Sequence, residues 1–96
     1  MSGSIKGTVI EVDQQGSLVT DIASYRLAGA PRDASIKIMV DEHETFGLFE
    51  ANHDQPDMTL IAILGAAEAP LKIELVSDSA SAMLGVRAGA PVEIVW

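Results

Sequence analysis

The stretch Gly7 to Ile22, GTVIEVDQQGSLVTDI, decides the fold. Two runs of alternating apolar residues flank Gln14-Gln15-Gly16-Ser17, so the chain runs out along one strand, reverses, and returns from Leu18 to Ile22 as a β-hairpin. On the outgoing strand the period of two predicts Val9, Glu11 and Asp13 on one face, with Thr8, Ile10 and Val12 on the other. The hairpin ends in a polar Thr20-Asp21 pair followed by Ile22.

Beyond the hairpin the same texture continues. Ala23 to Asp33, with Gly29-Ala30-Pro31 inside it, reads as an irregular connection. Ser35 to Val40 alternates with Ile36, Ile38 and Val40 on one side, and Thr45 to Phe49 reads as one further short extended piece. Asn52 to Asp57 is a polar, Pro-containing turn. The continuous apolar run Thr59 to Gly65 predicts a strand buried on both faces, and Leu71 to Val76 alternates as its partner. The single helix expected is Ser79 to Leu84, capped by Ser77, Asp78 or Ser79 and closed by Gly85. Gly89-Ala90-Pro91 then turns the chain into a last strand, Val92 to Trp96. Short strands at regular spacing with one helical turn predict an all-β fold, a small closed or nearly closed antiparallel β-barrel with one short helix. It is expected to be a single domain over residues 1–96.

A chain of 96 residues supports one small core, and 48% hydrophobic residues make it too apolar for disorder even at a formal charge of −8. The chain contains no Cys, which removes disulfides, thiolate nucleophiles and Cys-ligated metals and fits a cytoplasmic location. The first residues, MSGSIKG, show no signal-peptide pattern, and no apolar run is long enough to span a bilayer, so no membrane role is expected. Six Lys and Arg against fourteen Asp and Glu, scattered along the chain, leave no basic stripe for phosphates, so nucleic acid is not expected as a partner.

The hairpin resembles the opening of the C-terminal barrel domain of the S-adenosylmethionine hydroxide adenosyltransferase family, which includes fluorinating and chlorinating enzymes. There the run is typically G-x-V-x-x-x-D-x-F-G-N-x-x-T-N-I. Gly7, Val9, Asp13, Gly16, Thr20 and Ile22 match it, while the family's F-G-N is Gln15-Gly16-Ser17 here and its T-N is Thr20-Asp21. His43-Glu44-Thr45-Phe46 with Pro56-Asp57 is similar to a second block. Leu64-Gly65-Ala66-Ala67 is similar to the family's G-S-S-G turn, and Leu71 to Ala80 to its L-E-I-x-x-N-x-G-S-A run. The resemblance implies a trimer and an adenosine-type ligand held near Gly16, Ser17, Asp21, Gly65, Ala66, Ala67 and Val76. It also implies that the polar side chains of such a site have become Ser17, Ala66, Ala67 and Val76, a hydroxyl being unable to offer an amide's paired donor and acceptor. The family's acidic catalytic residue belongs to an N-terminal domain, so a stand-alone chain without that half is expected not to be an enzyme.

Other polar constellations have simpler readings. Asp41-Glu42-His43-Glu44 offers donors for a divalent cation, but neighbours on a strand point to opposite faces, and a solvated acidic turn accounts for the run. His53-Asp54 sits in a turn without a nucleophile, and Asp13 and Asp21 suit turn caps better than an acid–base pair. No catalytic residue, metal ligand or cofactor is assigned. Arg26 and Arg87 are the candidates for holding an anionic group, and Trp96 is expected to pack on the barrel. Tyr25, Phe46 and Phe49 are the aromatics that would mark an interface if exposed. The expected function is therefore non-catalytic self-association or binding of a protein partner. The alternatives are a binding module for adenosine or S-adenosylmethionine, or the separately encoded half of a two-chain adenosyltransferase.

Overall fold

A computed structural model describes residues 3–96. Along them run β1 (Ser4–Val12), β2 (Leu18–Ala23), a 3-10 turn (Ser24–Leu27), β3 (Lys37–Val40), β4 (His43–Phe46), β5 (Leu48–Glu50), β6 (Leu60–Leu64), β7 (Pro70–Leu75), the helix α1 (Ala80–Leu84) and β8 (Pro91–Val95). Among the described residues the strands form one sheet in the order β4-β3-β8-β1-β2-β7-β6-β5, curled into a nearly closed barrel. Neighbours are antiparallel except β5 and β6, which run parallel from Leu48 opposite Ala62 to Glu50 opposite Leu64.

The core follows from the alternation. Ile36, Ile38 and Val40, Leu71 and Ile73, and Val92 and Ile94 all point inward and are essentially inaccessible. Each such side chain contributes roughly 1.5–3 kcal/mol by leaving water. Leu27, on the 3-10 turn, is equally buried and plugs one end of the barrel. At the other end, Ser79 caps α1 by accepting a hydrogen bond from the Ala82 amide, and Gly85 closes it in the left-handed conformation.

Two irregularities depart from the simple alternation. A β-bulge between Val9 and Glu11 shifts the pairing of β1 with β2, so Val9 and Val12 face the core while Ile10 points out, 54% exposed. The expected grouping of Ile10 with Val12 is thereby broken. The piece expected to extend from Thr45 to Phe49 is divided at Gly47, whose φ of +87° favours glycine. Before Gly47 the chain pairs with β3 on one edge of the sheet, and after it with β6 on the other. One segment therefore joins both edges. The Thr45 hydroxyl donates across the join to the Leu60 carbonyl, and the Gly47 amide donates to Ile36 O at 3.0 Å.

Candidate functional site

The hairpin turn is built by Asp13. Its Oδ1 accepts hydrogen bonds from the amides of Gln15 and Ser17, both at 2.9 Å, while Oδ2 lies 3.6 Å from Lys72 Nζ on β7. Gly16 completes the turn at φ +82° and presses on the helix cap, so that a Cβ there would overlap Ser79 Oγ. The Gly16 carbonyl accepts from the Ser81 amide, so the turn also satisfies a donor in the first turn of α1.

The Thr20-Asp21 pair serves the same hairpin further along. Thr20 is fully buried, and its hydroxyl donates to Leu71 O at 2.7 Å and accepts from the Ile22 amide at 3.2 Å. Asp21 Oδ1 accepts from the Thr8 amide at 2.9 Å and lies over Gly7, where a Cβ would collide with it. The side chain occupies a place that the backbone of β2 leaves open.

At the opposite end of β2, the Gly65 amide donates to the buried Ser24 hydroxyl at 3.0 Å. The Tyr25 amide donates to Ala67 O, and the Ser24 amide to Ala69 O. The turn after β6 is thus tied to the 3-10 turn by its own backbone atoms. A surface concavity of about 600 Å³ opens beside it, lined by Tyr25, Arg32, Glu50, Asn52 and Gly65 to Ala67. Arg32 and Glu50 form an exposed ion pair across it at 3.5 Å. A second concavity, of about 470 Å³, lies at the hairpin end and is lined by Gln15, Ser17, Glu74 and Ser77 to Ser79.

The positions singled out by sequence therefore fall in separate places. Gly65, Ala66 and Ala67 line the first concavity and Ser17 the second, while Asp21 and Val76 line neither. The pairing of Leu18 with Ile73 and of Ala23 with Pro70 sets these ends five residues apart along β2, about 16 Å of strand. Val76 is engaged through its backbone, accepting from the Met58 amide and donating to Thr59 O. Sequence reasoning missed Ser24, Arg32, Glu50 and Asn52, which join the first concavity only through the 3-10 turn and the strand join at Gly47.

The remaining candidates are local. His43 Nε2 donates to Leu84 O at 3.0 Å, covering a carbonyl at the end of α1, while Asp41 and Glu42 form an exposed turn. Among the described residues no group of three or more His, Asp or Glu side chains converges as metal ligands would. His53 Nδ1 accepts from the Gln55 amide within its own turn. Arg87 is exposed, and Arg26 lies beside Trp96, whose half-buried ring stands over Gly3. Asp33 is held below the ordinary carboxylate value by hydrogen bonds from the Ser35 hydroxyl and amide. Among the described residues no buried side-chain polar atom lacks a partner, and no helix is long and apolar enough to cross a membrane.

These features define a nearly closed eight-stranded β-barrel whose turn residues are largely engaged in its own hydrogen bonds. No family model and no curated protein matches the sequence. Among solved structures, an uncharacterized conserved protein from Thermotoga maritima superposes with a TM-score of 0.72 at 26% identity, over 95% of this chain and 35% of that one. A conserved hypothetical protein from Thermus thermophilus superposes with a TM-score of 0.71 at 22% identity, over 93% of this chain and 34% of that one. The likeness is one of fold, and this chain spans about a third of the length of either protein.

Proposed function

We propose that this barrel is a non-catalytic module that acts through protein contacts, first of all with a second copy of itself. The observation that carries the reading is the dispersal of the candidate ligand positions to two ends of the β2–β7 ladder, with their polar groups already used. Asp21 Oδ1 holds the Thr8 amide, the Gly65 amide holds Ser24, and Gly16 is packed on Ser79. A ligand would have to break those bonds to gain its own, and each exchange costs about what it returns. Exposed Tyr25, Phe46, Met58 and Met83 leave apolar area outside the core that a partner can cover. In the adenosyltransferase family that the sequence resembles, the matching domain works against the N-terminal domain of a neighbouring subunit, which supports a role in protein contacts without specifying a second barrel.

A second reading has one observation in its favour. The concavity beside Gly65 to Ala67 includes Tyr25, 59% exposed, a ring free to stack on adenine. Two measurements separate the readings. Sedimentation velocity from micromolar to millimolar chain is expected to show a concentration-dependent rise in mass. Thermal-shift titration with adenosine, S-adenosylmethionine and a non-adenine nucleoside is expected to show no shift at millimolar ligand. A saturable shift with the adenine compounds alone would establish the second reading in place of the first.

A further inference from the structure

The outer face of β4, β3, β8 and β1 carries charges of both signs in equal number. Register places Phe46, Lys37, Val95 and Ser4 side by side in one row across the four strands, and Glu44, Met39, Glu93 and Lys6 in the next. All eight are exposed or half-buried, while their strand neighbours Ile38, Val40, Ile94 and Ile5 fill the core. Lys37 lies 3.9 Å from Glu44, and Lys6 lies 3.9 Å from Glu93. Two cations balance two anions, so the chain's formal charge of −8 lies entirely outside this face. Phe46, 48% exposed, with Met39 and Val95, makes the face partly apolar as well.

We propose that this face is where two copies of the chain meet, an inference that rests on the self-association reading above. Two molecules of such negative charge repel where their acidic surfaces approach, and a face of balanced charge is one where that repulsion is small. The pattern is also self-complementary. A two-fold axis parallel to the strands, between β3 and β8, sets Glu44 of one copy opposite Lys6 of its partner and Lys37 opposite Val95. An isologous contact requires such a relation, because wherever one residue meets a second across the axis, the second meets the first at the symmetry-related place. The sheets would pack face to face at about 10 Å. Eight side chains are well short of the roughly 20–30 residues a side of a standard interface, so the dimer is a weak one.

The test is sedimentation equilibrium of the whole chain and of three variants, Phe46→Glu, Lys6→Glu and the charge exchange Lys6→Glu with Glu44→Lys. Thermal melts run alongside to confirm that each is folded. Phe46→Glu and Lys6→Glu are expected to weaken dimerisation at least tenfold, and the exchange to recover most of the loss incurred by Lys6→Glu. An unmodified chain that stays monomeric at millimolar concentration overturns the self-association reading, and this inference with it. A chain that dimerises equally well in all three variants leaves self-association standing and overturns the assignment of this face.

Discussion

Replacing Gly16 by alanine is expected to destabilise the barrel by about 3 kcal/mol, lowering its melting temperature by about 15 °C. Two costs combine. A φ of +82° is strained for a residue with a Cβ, by roughly 1–2 kcal/mol. The added carbon also meets Ser79 at three atoms, Oγ, Cβ and Cα, and the Cα, at 2.9 Å, belongs to backbone that cannot swing aside. The contribution of the contact is isolated by Gly85→Ala, at φ +70° with nothing within 4 Å of its Cβ, which bears the backbone cost alone. Equilibrium urea unfolding of both variants checks the account. Equal losses would show that the hairpin does not press on the helix cap. A double change, Gly16→Ala with Ser79→Gly, is expected to be less destabilising than the two single losses added together, since it removes the nearer atoms.

Thr20→Val is expected to cost about 2–3 kcal/mol although the two side chains have the same shape. The hydroxyl joins two backbone groups, Leu71 O and the Ile22 amide, in a stretch where the β2–β7 register slips between Val19 and Ala23. Valine leaves both groups buried without a partner, and the unmet desolvation of each sets the size of the loss. Thr20→Ser keeps the hydroxyl and gives up a methyl group, about 1 kcal/mol. The order of stability by urea unfolding should therefore be wild type, then Ser, then Val. Valine proving more stable than serine would mean that packing, and not the hydrogen bonds, holds this position.

These residues show which parts of the molecule could be read in advance. The alternation over Ser35 to Val40 and Leu71 to Val76 places Ile36, Ile38, Leu71 and Ile73 in the core, where they lie. Ser79 and Gly85 bound the helix as their chemistry requires. Such signals are local, each set by one residue and its neighbours along the chain. The bulge at Ile10 and the change of partner at Gly47 depend on what lies across the sheet, and no period within the strand announces them. The candidate site suffered for the same reason. Ser17 and Gly65 to Ala67 lie in separate blocks that the family resemblance assigns to one ligand, but the fold sets them at two ends of one ladder. Asp21 is a candidate ligand residue in the sequence, and in the fold it and its neighbour Thr20 act as substitutes for missing backbone bonds.

The pairing of Ser4 with Val95 and of Thr8 with Pro91 brings the first strand of the barrel beside the last, in the middle of the sheet. Until β8 has left the ribosome, β1 and β3 lack their common neighbour, and the buried residues Ile5, Ile38 and Val40 face water along two unpaired edges. Strands β1, β2, β7, β6 and β5 can pair without β8, but the β3–β4 hairpin joins them only through β8, so closure of the barrel waits for the last strand and for contacts between residues far apart in sequence.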